Sequence, residues 1–193
     1  MIHNNYFEIL KLFTGNYQLE LYGRQLVNKV PMSQKGIALV LTSMEKDSIL
    51  KSRKQGSLKM YSLNTSNPQI KEHIIMAELQ KKAGFLSKNK KIAHLFKSDN
   101  RIVGLFGSYA KGTQEDSSDI DLFIIGGKKK EDYDSMGKKY DLEISIKYFD
   151  EKEFKQLLKQ KNTLVKEMIN NHILIFNVEK FISFVWEDYY ALD

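Results

Sequence analysis

Residues 107–112 read Gly-Ser-Tyr-Ala-Lys-Gly, and residues 118–122 read Ser-Asp-Ile-Asp-Leu. Apolar runs at residues 102–106 and 120–125 precede and overlap these stretches, and each run predicts a buried strand. The glycines at both ends of the first stretch allow the backbone to turn tightly and to approach a ligand closely. The sequence therefore predicts a tight glycine turn between two short buried strands.

Asp119 and Asp121 open the second of these strands. Side chains two residues apart on a strand project from the same face, with their Cα atoms about 6–7 Å apart. Carboxylates are preferred Mg²⁺ ligands, and two acids at this spacing suit a pair of ions about 3.5–4 Å apart. The sequence therefore predicts a metal-binding pair, the alternative being that the two aspartates simply end a loop.

This pattern resembles the DNA polymerase β-like nucleotidyltransferase superfamily, especially its small prokaryotic members, over residues 80–180 approximately. The family pattern is a Gly-Ser turn, an Asp-x-Asp pair about ten residues later and a third carboxylate on a later strand. Glu143 stands where that third acid is expected, although Asp141 could take its place. The resemblance implies that Asp119, Asp121 and Glu143 are catalytic and hold two Mg²⁺ ions, for which Mn²⁺ could substitute.

The same resemblance implies a nucleotide-binding role for Gly107 and Ser108, with Lys111 as a further contact. A Gly-Ser turn at the start of a short helix offers backbone N–H groups and a hydroxyl to phosphate oxygens. The expected ligand is a nucleoside triphosphate, with ATP as the first choice. Lys111 could equally be an ordinary solvated lysine.

The amino-terminal part of the chain predicts three helices followed by a hairpin. A turn at Gln55-Gly56 joins two short strands, residues 49–54 and 57–63. The helices are predicted from apolar residues at helical spacing, over residues 3–13 and 21–30 and from an N-cap at Ser33 to about Lys46. This order resembles the winged helix-turn-helix of prokaryotic transcription regulators, in which the third helix enters the DNA major groove.

The winged-helix resemblance implies contacts with double-stranded DNA from the third helix and from the hairpin. The predicted DNA-binding residues are Gln34, Lys35, Lys51, Arg53, Lys54 and Lys59. The outward face of the third helix also carries Ala38 and Leu39, which cannot form hydrogen bonds with base edges. Leu39 could instead face a protein partner or the second domain.

Charge is distributed unevenly along the chain. Residues 1–98 contain 16 Lys and Arg against 6 Asp and Glu, a net charge of +10, and residues 99–193 contain 14 against 18, a net charge of −4. This asymmetry suggests a polyanion-binding module joined to a metal-binding one, although solvated lysines alone would also produce it.

Composition excludes several other classes of protein. The chain has no cysteine, which excludes disulfides and thiolate metal sites. No apolar run approaches the ~20 residues of a membrane span, and the first residues lack a signal-peptide pattern. We therefore expect a cytoplasmic protein with no membrane partner.

Together these patterns predict an α+β chain with two domains. The first is a winged helix-turn-helix domain at residues 1–66, and the second is a nucleotidyltransferase domain at residues 67–193 with linking helices and a mixed β-sheet. Further strands are predicted at 142–149 and 173–176, and further helices at 68–86 with a break near Gly84, 87–97, 131–139, 151–159, 162–170 and after 181.

The function predicted first is that of a metal-dependent nucleotidyltransferase that moves a nucleoside monophosphate from an NTP to a hydroxyl acceptor. A protein hydroxyl, an RNA end and a small molecule all remain open as acceptors. The alternative is a DNA-binding transcriptional regulator or an antitoxin-like partner protein, in which the transferase fold is a nucleotide sensor or a scaffold. A homodimer or a complex with another protein is compatible with either function.

Overall fold

The computed structural model describes residues 4–115, 118–129 and 132–192. Its internal contacts divide the chain into two compact units, Met1–Ala77 and Glu78–Asp193. The division falls inside the helix α3 (Ile70–Lys88), in the region that the sequence predicts to link the two domains. None of the helices described in these ranges is long and apolar enough to cross a membrane.

The first unit contains one small antiparallel sheet and two helices before α3. Its elements are α1 (Asn4–Leu10), β1 (Leu21–Tyr22), α2 (Gln34–Lys46), β2 (Leu50–Gln55) and β3 (Leu58–Leu63). Strand β3 lies in the middle and pairs with both β1 and β2, so the predicted hairpin is confirmed. The Ser33 hydroxyl caps α2 by accepting a hydrogen bond from the N–H of Gly36 at 3.2 Å, as predicted.

The helix predicted over residues 21–30 is wrong. Residues Leu21 and Tyr22 instead form β1, and Gly23–Leu26 form a single 3₁₀ turn. Asn28 then adopts a φ of 70°, which a continuing right-handed helix excludes. Leu26 and Val30 are buried nonetheless, so their spacing reflects the burial of a turn and not of a helix.

The second unit is built on a four-stranded mixed sheet. Its elements after α3 are α4 (Lys90–Ala93), β4 (Ile102–Leu105), α5 (Gly107–Lys111), β5 (Ile120–Ile125), α6 (Tyr133–Gly137), β6 (Ile144–Phe149), α7 (Glu151–Lys159), α8 (Thr163–Asn170), β7 (Ile173–Phe176) and α9 (Val178–Phe184). The strand order is β6-β5-β4-β7, with β5 parallel to β6 and β4 antiparallel to both β5 and β7. This is the mixed α+β architecture expected from the sequence.

Both faces of β5 are covered at residues 122–125, which explains the continuous apolar run there. On one face Leu122 and Ile124 pack into a buried cluster with Leu105 of β4. On the other face the ring of Phe123 lies 5.5 Å from that of Phe181 on α9, between ring centroids. A strand buried on both sides has no polar alternation, so it appears in the sequence as an uninterrupted apolar stretch.

Two predicted boundaries in this unit are wrong. Helix α3 continues through Gly84, because one exposed glycine costs a helix only about 1 kcal/mol and the remaining turns offset it. Strand β6 begins at Ile144 and not at Leu142. Asp141 has a φ of 50°, and the N–H of Leu142 bonds back to the carbonyl of Gly137 at 3.1 Å, so the chain is still turning there.

Arg101 forms a buried ionic network at the start of β4. Its guanidinium donates two hydrogen bonds to the carboxylate of Asp132, at 2.8 and 2.9 Å, and a further one to Asp99 at 2.7 Å. A third acceptor is the carbonyl of Gly127 at 2.8 Å. The hydrogen bond with Asp132 outweighs burial and raises the pKa of Arg101 above its usual range, so Arg101 stays charged. The network therefore holds the start of α6, which Asp132 caps, against the start of β4.

A second buried ionic pair joins α3 to the start of β7. Nε2 of His172 lies 2.9 Å from Oε1 of Glu78, and its Nδ1 lies 2.8 Å from the carbonyl oxygen of Ile169. Burial alone would raise the pKa of Glu78, but the positive charges of His172 and Lys81 lower it to about 2. The pair therefore holds the helix and the strand together as long as Glu78 is ionised.

Candidate active site

The Gly-Ser turn and the aspartate strand lie directly against each other. The N–H of Phe106 donates to the carbonyl of Asp121 at 3.0 Å, which places the following residue, Gly107, beside the Asp121 side chain. Gly107 has a φ of 67°, and a Cβ atom there would lie 2.2 Å from Oδ2 of Asp121. Only glycine fits this position, and the turn that the sequence predicts to bind phosphate is thus adjacent to the predicted metal ligand.

The short helix α5 is held at its carboxyl end and along one side. Gly112 ends it in the left-handed conformation, with its N–H bonded to the carbonyl of Ser108. Tyr109 and Ala110 pack against the buried cluster of the sheet. The residue before the helix is Phe106, whose side chain cannot cap the N–H groups of the first turn. Gly107 and Ser108 therefore begin a helix that has no cap from the preceding side chain.

Asp121 lies in a crowded electrostatic environment. Burial raises the pKa of its carboxyl first, and the charges of Asp119 and Glu167 raise it further, while Lys147 and Lys111 partly oppose them. Asp119 itself is exposed, one residue before β5. Negative charge is therefore concentrated where hard oxygen donors are present, and this donor set suits a divalent cation.

Glu143 lies beside Asp119 and Asp121 by strand register, but its side chain does not converge with theirs. The carbonyl of Glu143 accepts the N–H of Ile120 at 2.9 Å, and Asp121 lies opposite Ser145, so Glu143 falls next to Asp119 on the neighbouring chain segment. Its side chain is exposed, one residue before β6. Within the described ranges, no three His, Asp or Glu side chains converge as a metal-binding group. The three-carboxylate metal site consequently stays a prediction.

Lys111 is held by an acid that the sequence did not indicate. Its Nζ lies 2.7 Å from Oε1 of Glu167 on α8, and both side chains are about two-fifths exposed, at 40% and 43%. Glu167 was missed because only the packing of α8 brings it to this site. Lys147 could have been predicted from the sequence as a neighbour of this site, because it alternates with Glu143 and Ser145 and so shares their face of the strand.

The six predicted DNA-binding residues are all exposed in the first unit. Gln34 and Lys35 begin α2, and Lys51 and Lys54 lie on β2. The two other predicted contacts are already engaged in ion pairs within this unit. Arg53 donates to Glu20 at 2.8 Å, and Lys59 donates to Glu45 at 2.6 Å.

The mixed sheet, with a Gly-Ser turn against an Asp-x-Asp strand, is consistent with a nucleotidyltransferase fold. The family model described as Polymerase beta, Nucleotidyltransferase matches residues 90–181, which include β4 through β7. This match supports the polymerase β-like resemblance and suggests nucleotidyl transfer in general. No curated protein and no solved structure matches the chain.

Proposed function

We propose that this chain is a metal-dependent nucleotidyltransferase that moves a nucleoside monophosphate from an NTP to a hydroxyl acceptor. The observation that carries the proposal is the contact between the Gly107 turn and the Asp121 carboxylate. Phosphate recognition and metal binding must adjoin in this chemistry, because a metal held by Asp121 would neutralise the phosphates that the turn binds.

Each group has a role that its position allows. The backbone N–H groups at Gly107 and Ser108, with the Ser108 hydroxyl, would hold the triphosphate. Asp119 and Asp121 would hold Mg²⁺ or Mn²⁺ together with Glu143, whose side chain has to turn towards them. When bound, two such ions neutralise the phosphates and the leaving pyrophosphate. Without a cation, burial raises the pKa of the Asp121 carboxyl first, and the like charge of Asp119 raises it further.

The transfer step requires a base for the acceptor hydroxyl. Glu143 is exposed and lies next to Asp119 by register, where it would take the proton as the hydroxyl oxygen attacks the α-phosphorus. A bond forms between the acceptor oxygen and the α-phosphorus, and the bond to pyrophosphate breaks in line with it. The acceptor could be a protein hydroxyl, an RNA end or a small molecule.

The experiment uses α-labelled nucleoside triphosphates, Mg²⁺ and cell extract, and follows label transferred to any acceptor. The double variant Asp119→Asn/Asp121→Asn should abolish transfer while circular dichroism shows the protein folded. A matched control is Asp134→Asn/Glu179→Gln, which removes two exposed carboxylates from α6 and α9. Transfer that persists in the first variant would exclude this mechanism.

A second candidate function, DNA binding by the first unit, is favoured by the exposed cations of its hairpin. Lys51 and Lys54 are exposed, and a small sheet with an exposed hairpin follows the capped helix α2, which supports a winged-helix arrangement. Leu39, with 64% of its surface exposed, is an unfavourable neighbour for base edges, so phosphate contacts would dominate.

Duplex binding at increasing salt tests this second candidate. Lys51→Ala/Lys54→Ala should weaken binding and flatten its salt dependence, since each phosphate contact contributes about one unit of slope. Arg53→Ala/Lys59→Ala should weaken it less, because Glu20 and Glu45 already neutralise those cations. The matched control Lys152→Ala/Lys166→Ala removes equal charge from the second unit. No measurable duplex binding at low salt would exclude the function.

A further inference from the structure

The ion pair between Lys111 and Glu167 lies beside the candidate active site. Both residues influence the carboxyl of Asp121, Glu167 as a second like charge and Lys111 as an opposing one. Their own contact is direct, at 2.7 Å between Nζ and Oε1. A lysine predicted to bind nucleotide is therefore already engaged by an acid on another element.

Glu167 is presented from a firmly packed helix. Val165, Met168 and Ile169 of α8 are fully buried, and the Asn162 side chain caps the helix by accepting the N–H of Leu164 at 3.0 Å. Lys111, in contrast, is a long and exposed side chain at the end of the five-residue helix α5. The lysine can move much more readily than the carboxylate it contacts.

The energy of this contact suits an exchangeable pair. Ion pairs with both partners this exposed contribute little to stability, because water screens the charges and two side chains lose conformational freedom. A triphosphate carries several negative charges and makes stronger charge-assisted hydrogen bonds than a single exposed carboxylate. Exchange of the Lys111 ammonium from Glu167 to phosphate is thus energetically accessible.

We infer that Glu167 is a positioning residue that keeps Lys111 beside Asp121 in the nucleotide-free protein and yields it to the phosphates of an arriving nucleoside triphosphate. The inference rests on the proposed function. According to this inference, Glu167 competes with the nucleotide for Lys111. Glu167 also prevents Lys111 from forming a salt bridge with Asp121, which would occupy the carboxylate needed for the metal. The competing explanation is that the Lys111–Glu167 ion pair only stabilises the packing of α5 against α8 and does not open when nucleotide binds.

The test measures the dissociation constant of ATP in EDTA by equilibrium dialysis. Glu167→Gln should bind ATP about 2- to 5-fold more tightly than the wild type, because breaking an exposed pair is no longer required. Glu167→Asp should restore wild-type affinity. In a Lys111→Ala background the Glu167→Gln change should have a much smaller effect, since it acts through that lysine.

The matched control is Glu151→Gln, which removes an equally exposed ion pair, with Lys180, just beyond the opposite end of β6. It should leave ATP affinity unchanged. Unchanged or weaker ATP binding by Glu167→Gln, or an equal gain in the Lys111→Ala background, would overturn the inference. A wild-type chain that binds no nucleoside triphosphate with or without Mg²⁺ would instead overturn the proposed function, so the two failures are distinguishable.

Discussion

Gly107 and Asp121 adjoin so closely that a Cβ atom at position 107 would lie 2.2 Å from the Oδ2 atom of Asp121. Real Cβ atoms do not approach a carboxylate oxygen to that distance, so any side chain at 107 must displace Asp121 or the turn. The identity of residue 107 therefore controls the geometry of the carboxylate as well as that of the phosphate-binding turn.

We expect Gly107→Ala to reduce nucleotide transfer by at least about 100-fold, because misplacement of a catalytic group by 1 Å has costs of that size. Gly112→Ala is the matched control: its φ of 71° is equally unfavourable, but nothing lies within 4 Å of its Cβ position. Both variants should lose about 1–2 kcal/mol of unfolding free energy from backbone strain. Equal activity in the two variants would show that contact with Asp121 does not matter.

Asp121→Asn should stabilise the metal-free protein while it removes activity. Burial, Asp119 and Glu167 raise the pKa of Asp121 in the folded state, so the ionised carboxyl opposes folding at neutral pH. We expect the thermal midpoint in EDTA at pH 7 to rise by about 2 °C. This gain should shrink as the pH falls towards the ordinary value of 3.8, because the wild-type carboxyl then becomes neutral.

Asp134→Asn provides the comparison for that measurement, since Asp134 is exposed on α6. Its thermal midpoint should not change. A lower midpoint for Asp121→Asn would mean that the carboxylate makes stabilising contacts which outweigh the surrounding negative charge.

Glu143→Gln should lower the maximal transfer rate by about 10²- to 10⁴-fold, as expected when a general base is lost. Asp141→Asn should stay within about 2-fold of the wild type, because Asp141 has a φ of 50°, which asparagine tolerates, and is exposed at the preceding turn. Steady-state kinetics with labelled nucleotide compare the two. The reverse order of effects would assign the third acid to Asp141.

Glu78→Gln should destabilise the protein by about 3 kcal/mol at pH 7, because it removes the buried carboxylate that contacts Lys81 and His172. The pKa of Glu78 is lowered from 4.5 to about 2, so its stabilisation is complete above pH 4.5 and is lost as the pH falls towards 2. Urea unfolding at pH 7, 5, 4 and 3 should therefore show that the difference in unfolding free energy between variant and wild type becomes smaller as the pH falls. A difference independent of pH would contradict the ionic explanation.

Short-range patterns predicted much of this molecule correctly. The hairpin, the capped helix α2, the turn at Gly107 and the strand at 120–125 follow from local periodicity and from residues that favour caps or turns. The predicted helix at 21–30 failed because the pairing of β1 with β3 overrides the helical spacing of its apolar residues. Helix or strand choice in such a short segment depends on a partner that lies 40 residues away.

The sequence by itself determined that a glycine turn, two aspartates and a third acid occur at a spacing suited to phosphate and metal chemistry. The tertiary structure alone decided that Gly107 adjoins Asp121, that Glu143 lies beside Asp119 by strand register, and that Glu167 on α8 engages Lys111. The physical reason is that spacing within a strand or turn is fixed by backbone geometry, whereas contacts between distant segments depend on how helices and strands pack.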